Sequence, residues 1–199
     1  MEITSVSNEY VKESTKLAQK KYRQECGKFL LEGFKAIKEA FDFGIEIEHI
    51  FVDKRYIQDY SFAKDIIIET NESVLKKIST TDSAPNAVAV AEQKHYDYND
   101  FKCLKKVVLL EDIKDAGNLG TIIRSSVAFG AEGLILYGDS VDLYNPKVVR
   151  ASVGNLWKIP VIHVNSIDLL SDIFGNFERV ATLPRANNLL KTFTPKSHR

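Results

Sequence analysis

Cysteine is scarce: Cys26 and Cys103 stand far apart in 199 residues, which excludes a disulfide framework and leaves no metal-ligand spacing. Two free thiols in a reducing cytoplasm and no metal site are therefore expected. No apolar run reaches membrane-spanning length, and the opening MEITSVSNEYVKE lacks a basic head followed by an apolar stretch, so neither a membrane span nor a signal peptide is expected. Excess charge of one sign is lacking too, since 27 Lys plus Arg balance 27 Asp plus Glu. A nucleic-acid binder with that balance must gather its basic residues on one face. Repeats and low-complexity tracts are missing as well.

An apolar fraction of 44% with 27% charged residues belongs to an ordinary globular chain. The length suits one full domain and a smaller companion. Residues 7–22 read as a helix with Val11, Leu17 and Ala18 inward, followed by a strand at Phe29-Leu30-Leu31 and a helix from Phe34 that Gly44 closes. Ile45 to Val52 alternates like a half-buried strand. Short strands at Ile66–Ile68 and Ala87–Ala91 flank a helix capped by Asn71. These elements make a small α/β unit over residues 1–93. The aperiodic stretch 94–105 reads as a linker, with a second domain over 106–199.

In that second domain the apolar runs Val107–Leu110, Leu134–Tyr137 and Pro160–Val164 are separated by helical segments near 118–129 and 145–153. A helix at 166–174 and a strand at Arg179–Leu183 follow. The alternation predicts a parallel βαβ sheet with ligands beyond the carboxyl ends of its strands.

Chemistry concentrates around Gly117 to Gly130. On a helix, Ile122, Ile123, Val127 and Phe129 cover one side, and Thr121, Arg124, Ser125 and Ala128 share the other. Arg124 thus stands alone on a small-residue face near a helix start, where a planar guanidinium suits a phosphate or a developing oxyanion. A solvated surface arginine is the plainer reading. Asn118 reads either as the N-cap or as a ligand contact. Glu111, Asp112 and Asp115 follow the first strand as turn residues or site acids. Lys147 and Arg150 lie at i, i+3 behind Pro146, either solvated or on RNA. His49, His163 and Trp157 read as core or edge residues. Lys20, Lys21, Tyr22, Arg23 and Lys28 form the densest basic stretch, able to follow a phosphate backbone. GNLG lacks the glycine spacing of a dinucleotide fingerprint, which argues against an unrelated nucleotide-binding α/β protein.

The run NLGTIIRSSVAFG, with DLYNPKVVRASVGNLWKIPV behind it, resembles the SpoU (TrmH-type) RNA 2′-O-ribose methyltransferases of the SPOUT superfamily. KKYRQECGKFLLEGFKAIKEA is similar to the small RNA-binding domain that precedes catalysis in many members. The resemblance implies a knotted, Rossmann-like α/β domain, S-adenosylmethionine as cofactor, ribosomal or transfer RNA as substrate, and a homodimer in the cytoplasm. It assigns Arg124 to catalysis, as a clamp on phosphate and ribose oxygen rather than a base, with Asn118 positioning the same nucleotide. Thr182 and Leu183 fall where members contact the cofactor, and Lys20, Lys21, Arg23, Lys28, Lys147 and Arg150 are the expected RNA contacts. Two motifs that members carry farther on, a Gly–x–Glu loop and a Ser-Leu-Asn segment, are absent from these 199 residues. The expectation is a C-terminally truncated member with a partial parallel sheet lacking its knot, with weakened cofactor binding and without normal dimerisation. A non-catalytic RNA-binding module is the alternative.

Overall fold

The structure, a computed structural model, describes residues 1–175, 177–182 and 194. The chain starts with two helices, α1 (Glu9–Lys16) and α2 (Lys20–Cys26), where a single helix over 7–22 was expected. The break has a physical cause. Leu17 turns into the core, and the buried Arg23 guanidinium takes hydrogen bonds to the carbonyl oxygens of Leu17 and Ala18 (2.8 and 2.9 Å), which an uninterrupted helix would use internally.

Strands β1 (Lys28–Glu32), β2 (Ile47–Asp53), β3 (Ile67–Thr70) and β4 (Ala87–Glu92) form a mixed sheet in the order β1-β4-β2-β3. β2 is parallel to β3 and antiparallel to β4, with an irregular register between Ile47 and His49. Helices cover both faces. Val11 of α1 and Val74, Leu75 and Ile78 of α4 (Glu72–Ile78) pack with Leu30, Phe51, Ile68, Val88 and Val90. Ile37 and Ala40 of α3 (Phe34–Asp42) pack on the other face. β2 is consequently buried on both sides rather than half-buried, only Glu48 being exposed. Residues Lys54–Ile66, given no element from sequence apart from Ile66, which was read as strand, wind as kinked 3-10 turns that bury Tyr60 and Ala63.

The second sheet is parallel in the order β5-β6-β7, with β5 (Val107–Glu111), β6 (Gly133–Tyr137) and β7 (Val161–Val164). Its helices are α5 (Ala116–Ala128), α6 (Pro146–Ser152) and α7 (Ile167–Phe174). Residues 179–182 carry no strand pairing, contrary to the strand expected at Arg179–Leu183, and Leu183 lies outside the described residues. The segment between the sheets is more than a linker. Asp97 and Asp100 build a capping box on a 3-10 turn at Tyr98–Phe101, and Phe101 is buried against Ile135, Ile162 and Leu170.

The two sheets share one core. Phe29 of β1 packs on Tyr144 and Trp157, with ring centroids 4.8 and 5.5 Å apart, in the same cluster as Leu119, Ile123, Val148 and Val149. Arg23 pairs with Asp142 across the seam at 2.6 Å, and Arg150 reaches back to Glu32 at 3.0 Å. Close approach explains Gly154 as well: it lies at φ +72°, and a Cβ there would fall 1.5 Å from Oε2 of Glu39.

Candidate active-site helix and interdomain cleft

Because α5 joins two adjacent parallel strands, it runs back from their carboxyl ends, and its first turn sits where an α/β site is expected. Asp115, not Asn118, is the N-cap: its Oδ1 accepts the Asn118 N–H at 2.7 Å. That hydrogen bond, reinforced by Lys147 at 3.4 Å, holds the Asp115 carboxyl below the ordinary carboxylate range. The amides expected to be open to an anion are thus already facing a carboxylate. Asn118 is exposed one residue into the helix's first turn from Gly117, its side chain directed to no described partner. Gly120 serves packing: a Cβ there would lie 2.5 Å from the Ala151 Cβ and 2.8 Å from the Val148 oxygen. The close crossing of α5 and α6 requires it.

Arg124 is exposed on the face shared with Thr121, Ser125 and Ala128, as its helical spacing predicts, and makes no hydrogen bond or ion pair with any described residue. It stands eight residues after Ala116, roughly 12 Å along the helix from its start at 1.5 Å per residue. The Arg124 backbone is therefore set back from the helix start, while a long helical side chain leans toward that start. Phe129, read as sharing one side of the helix with Ile122, Ile123 and Val127, is instead the exposed C-cap residue of α5.

At the carboxyl ends of β5 and β6 the loops are tied together. Asp112, at φ +50°, donates its N–H to the Tyr137 oxygen (3.0 Å) and accepts the Asp139 N–H on Oδ1 (2.8 Å). Lys114 pairs with Asp139 at 2.6 Å and holds that carboxyl low. His163 lies 2.6 Å through Nε2 from the Gly138 oxygen. A carbonyl only accepts, so Nε2 is the donor in this contact.

The expected RNA contacts separate into two groups. Lys20 and Lys21 are exposed, Lys21 within 3.8 Å of Glu25. Arg23 is 1% exposed and held by Asp142 and two carbonyl oxygens, so it is a seam residue and has no free donor face for RNA. Lys28 is engaged by Glu48 (2.7 Å) and Glu92 (3.6 Å), which raise its pKa, the Glu48 hydrogen bond first. Lys147 and Arg150 share a helix but diverge: Lys147 faces Asp115, while Arg150 is engaged by Glu32 and Thr80. Burial inside a basic run is the signal that sequence spacing lacks, since Arg23 finds its partner 119 residues away.

Of the expected cofactor contacts, Thr182 is exposed and outside any strand, and Leu183 is not among the described residues. Missed from sequence was a cleft of about 420 Å³ between α2, residues 93–96, the carboxyl end of β6 and the edge strand β7. Among the described residues no group of His, Cys, Asp and Glu suits a metal ion, and no helix is long and apolar enough to cross a membrane.

Comparison with known proteins places this geometry. Residues 8–89 match the MRM3-like substrate binding domain and residues 105–197 the SpoU rRNA Methylase family. A tRNA/rRNA methyltransferase of Synechocystis is 30% identical over 197 residues, covering 94% of this chain and 72% of the relative. The 23S rRNA (guanosine(2553)-2′-O)-methyltransferase of Bacillus subtilis is 30% identical over 165 residues, 82% of this chain and 65% of the relative. An AdoMet-bound rRNA methyltransferase from Sinorhizobium meliloti superposes with a TM-score of 0.76 at 33% identity, over 85% of this chain and 67% of that one. The chain thus spans about two thirds of the length of these relatives. With the substrate-binding and SpoU regions matched in order along one chain, and the α/β architecture shared with solved members, the protein belongs to the SpoU family of RNA methyltransferases.

Proposed function

We infer that the protein acts in the transfer of a methyl group from S-adenosylmethionine to a ribose 2′-hydroxyl of ribosomal RNA, transfer RNA being the other substrate class the resemblance implies. The observation that carries this reading is Arg124: an exposed guanidinium with no described partner, on a small-residue helix face, in a chain whose relatives include a ribosomal RNA 2′-O-methyltransferase. The cofactor supplies the methyl group, and the protein's own contribution is to hold the nucleotide. Arg124 stays protonated, so it does not serve as a base. It grips the phosphate and ribose oxygen in a planar fork and stabilises charge as the hydroxyl loses its proton. The exposed side chain of Asn118, on the same helix, positions the nucleotide. The set-back of the Arg124 backbone from the helix start favours a site completed by a second copy of the chain, the homodimer the resemblance implies. Lys20 and Lys21 supply RNA affinity, and the cytoplasm is the compartment this reading requires.

The test is transfer of a labelled methyl group from S-adenosylmethionine to ribosomal RNA by the whole chain, beside calorimetric titration with the cofactor. Arg124→Ala is expected to lower transfer by about 100-fold or more with RNA binding and melting unchanged. Turnover near the wild-type rate would remove Arg124 from the mechanism. Absence of cofactor binding with RNA binding intact would establish the alternative, a non-catalytic RNA-binding module.

A further inference from the structure

We propose that the cleft between α2, residues 93–96, the carboxyl end of β6 and the edge strand β7 is a seat for one unstacked nucleotide of single-stranded RNA, distinct from the nucleotide held by Arg124. The proposal rests on the RNA reading above and adds a site to it. At about 420 Å³ the cleft falls in the range of about 300–1,000 Å³ that encloses a drug-sized molecule, and a mononucleotide is of that size.

Its walls are fixed before any ligand arrives. The Gln93 side chain donates to the carbonyl oxygens of Arg23 and Lys28 (3.0 and 3.1 Å), fastening the connecting segment to the first domain. One residue later, the Tyr144 hydroxyl accepts the Lys94 N–H (2.8 Å) and donates to the Lys94 oxygen (2.7 Å), fastening it to the second. A hydroxyl that donates and accepts at one residue leaves that backbone little freedom. The presentation of Lys94 and Tyr96 is therefore built into the seam and costs little to order on binding.

The charges favour an anion. Both carboxylates beside the cleft are engaged, Asp142 by Arg23 at 2.6 Å and Asp139 by Lys114 at 2.6 Å. Lys20 and Lys94, both exposed and both lining the cleft, form no ion pair with a described residue, although Lys20 is near enough to Asp139 to help hold that carboxyl low. The Lys94 ammonium stands 5.1 Å over the Tyr96 ring, so cation and ring line one space, and a base that stacks on that face moves the ammonium aside toward its own phosphate. Phosphate beside ammonium and base against ring is the pairing by which proteins hold single strands. His163 also lines the cleft, its Nε2–H committed to the Gly138 oxygen.

The experiment measures binding of a fluorescein-labelled 12-nucleotide single-stranded RNA of mixed sequence to the whole chain, by anisotropy across a salt series. Lys20→Ala with Lys94→Ala should weaken binding about tenfold at low salt and reduce the log–log salt slope by about 1.4, two phosphate contacts at about 0.7 each. Tyr96→Ala should cost about tenfold with little change in slope, and Tyr96→Phe should restore the affinity because the ring face is kept. If neither the lysine pair nor Tyr96→Ala alters binding, the cleft is not the seat and Lys20 supplies no RNA affinity, although the RNA reading still stands on Lys21 and Arg124. A loss confined to the lysine pair overturns the proposal as well, since it describes a backbone track without a place for a base. A wild-type chain that binds no RNA overturns both readings.

Discussion

The first sheet hides its strands on both faces, whereas the second leaves its leading strand half open. In β4 five consecutive residues, Ala87 to Ala91, are buried, and in β1 Phe29, Leu30 and Leu31 are. In β5, a run just as apolar, no residue is fully buried and Leu109 is 44% exposed. Apolar content is therefore not what separates them. The first sheet has its own helices on both sides, while the second obtains much of its inner cover across the seam, where Tyr144 and Trp157 meet Phe29. A sheet that shares its core with a neighbour should melt with that neighbour.

Arg23→Ala is the hardest test of that statement. It removes a guanidinium that is 1% exposed and leaves Asp142, only 13% exposed, without its cation, the change that costs about 3–5 kcal/mol when one partner of a buried pair is lost. For a chain of this size the melting temperature should fall by about 10 °C. Fluorescence of Trp157 on one side of the seam and circular dichroism of the whole chain should still report one coincident transition. Two separated transitions would show that the sheets are independent units and the shared core incidental.

Most elements could be read from the sequence because hydrophobic period and caps are local. The strands at Val107, Leu134 and Val161, the Asn71 cap and the Arg124 face all follow from spacing within about a dozen residues. What escaped depends on partners far along the chain. Arg23 and Arg150 look like members of basic surfaces until Asp142 and Glu32 arrive from the other domain. The α5 cap was misplaced by three residues because Asp115 and Asn118 are equally good capping types, and only the hydrogen bond decides between them. The cleft was invisible since its walls come from three separate stretches, residues 20–24, 93–96 and 136–163.

A smaller effect tests the packing beneath the second sheet. Gly120→Ala gains about 1 kcal/mol of helix propensity, but its methyl would meet the Ala151 Cβ at 2.5 Å and the Val148 oxygen at 2.8 Å, neither on a flexible side chain. Overpacking of this kind costs about 1–3 kcal/mol, so the net change in urea unfolding should be destabilising. A variant as stable as the parent would mean that α5 and α6 move apart freely, and that the second sheet is looser than its buried Leu134 and Leu136 indicate.

The smallest effect belongs to the first sheet and turns on its one buried histidine. His49 is 9% exposed on β2, edge-on to Tyr10 and Phe51, and its Nε2 has no hydrogen-bond partner. Burial lowers its pKa, with Lys28 adding to the shift and Glu48 opposing it. Above the unfolded value of about 6.5 both states hold a neutral ring and the residue contributes no pH dependence. As pH falls through that value the unfolded chain takes up a proton that the folded chain resists, so stability declines toward the lower folded pKa. Urea midpoints at pH 7.5 and pH 5.5 should differ for the parent, and the difference should shrink in His49→Gln. An equal difference in that variant would place the proton uptake elsewhere and show that the closed sheet admits charge at β2 more readily than its burial implies.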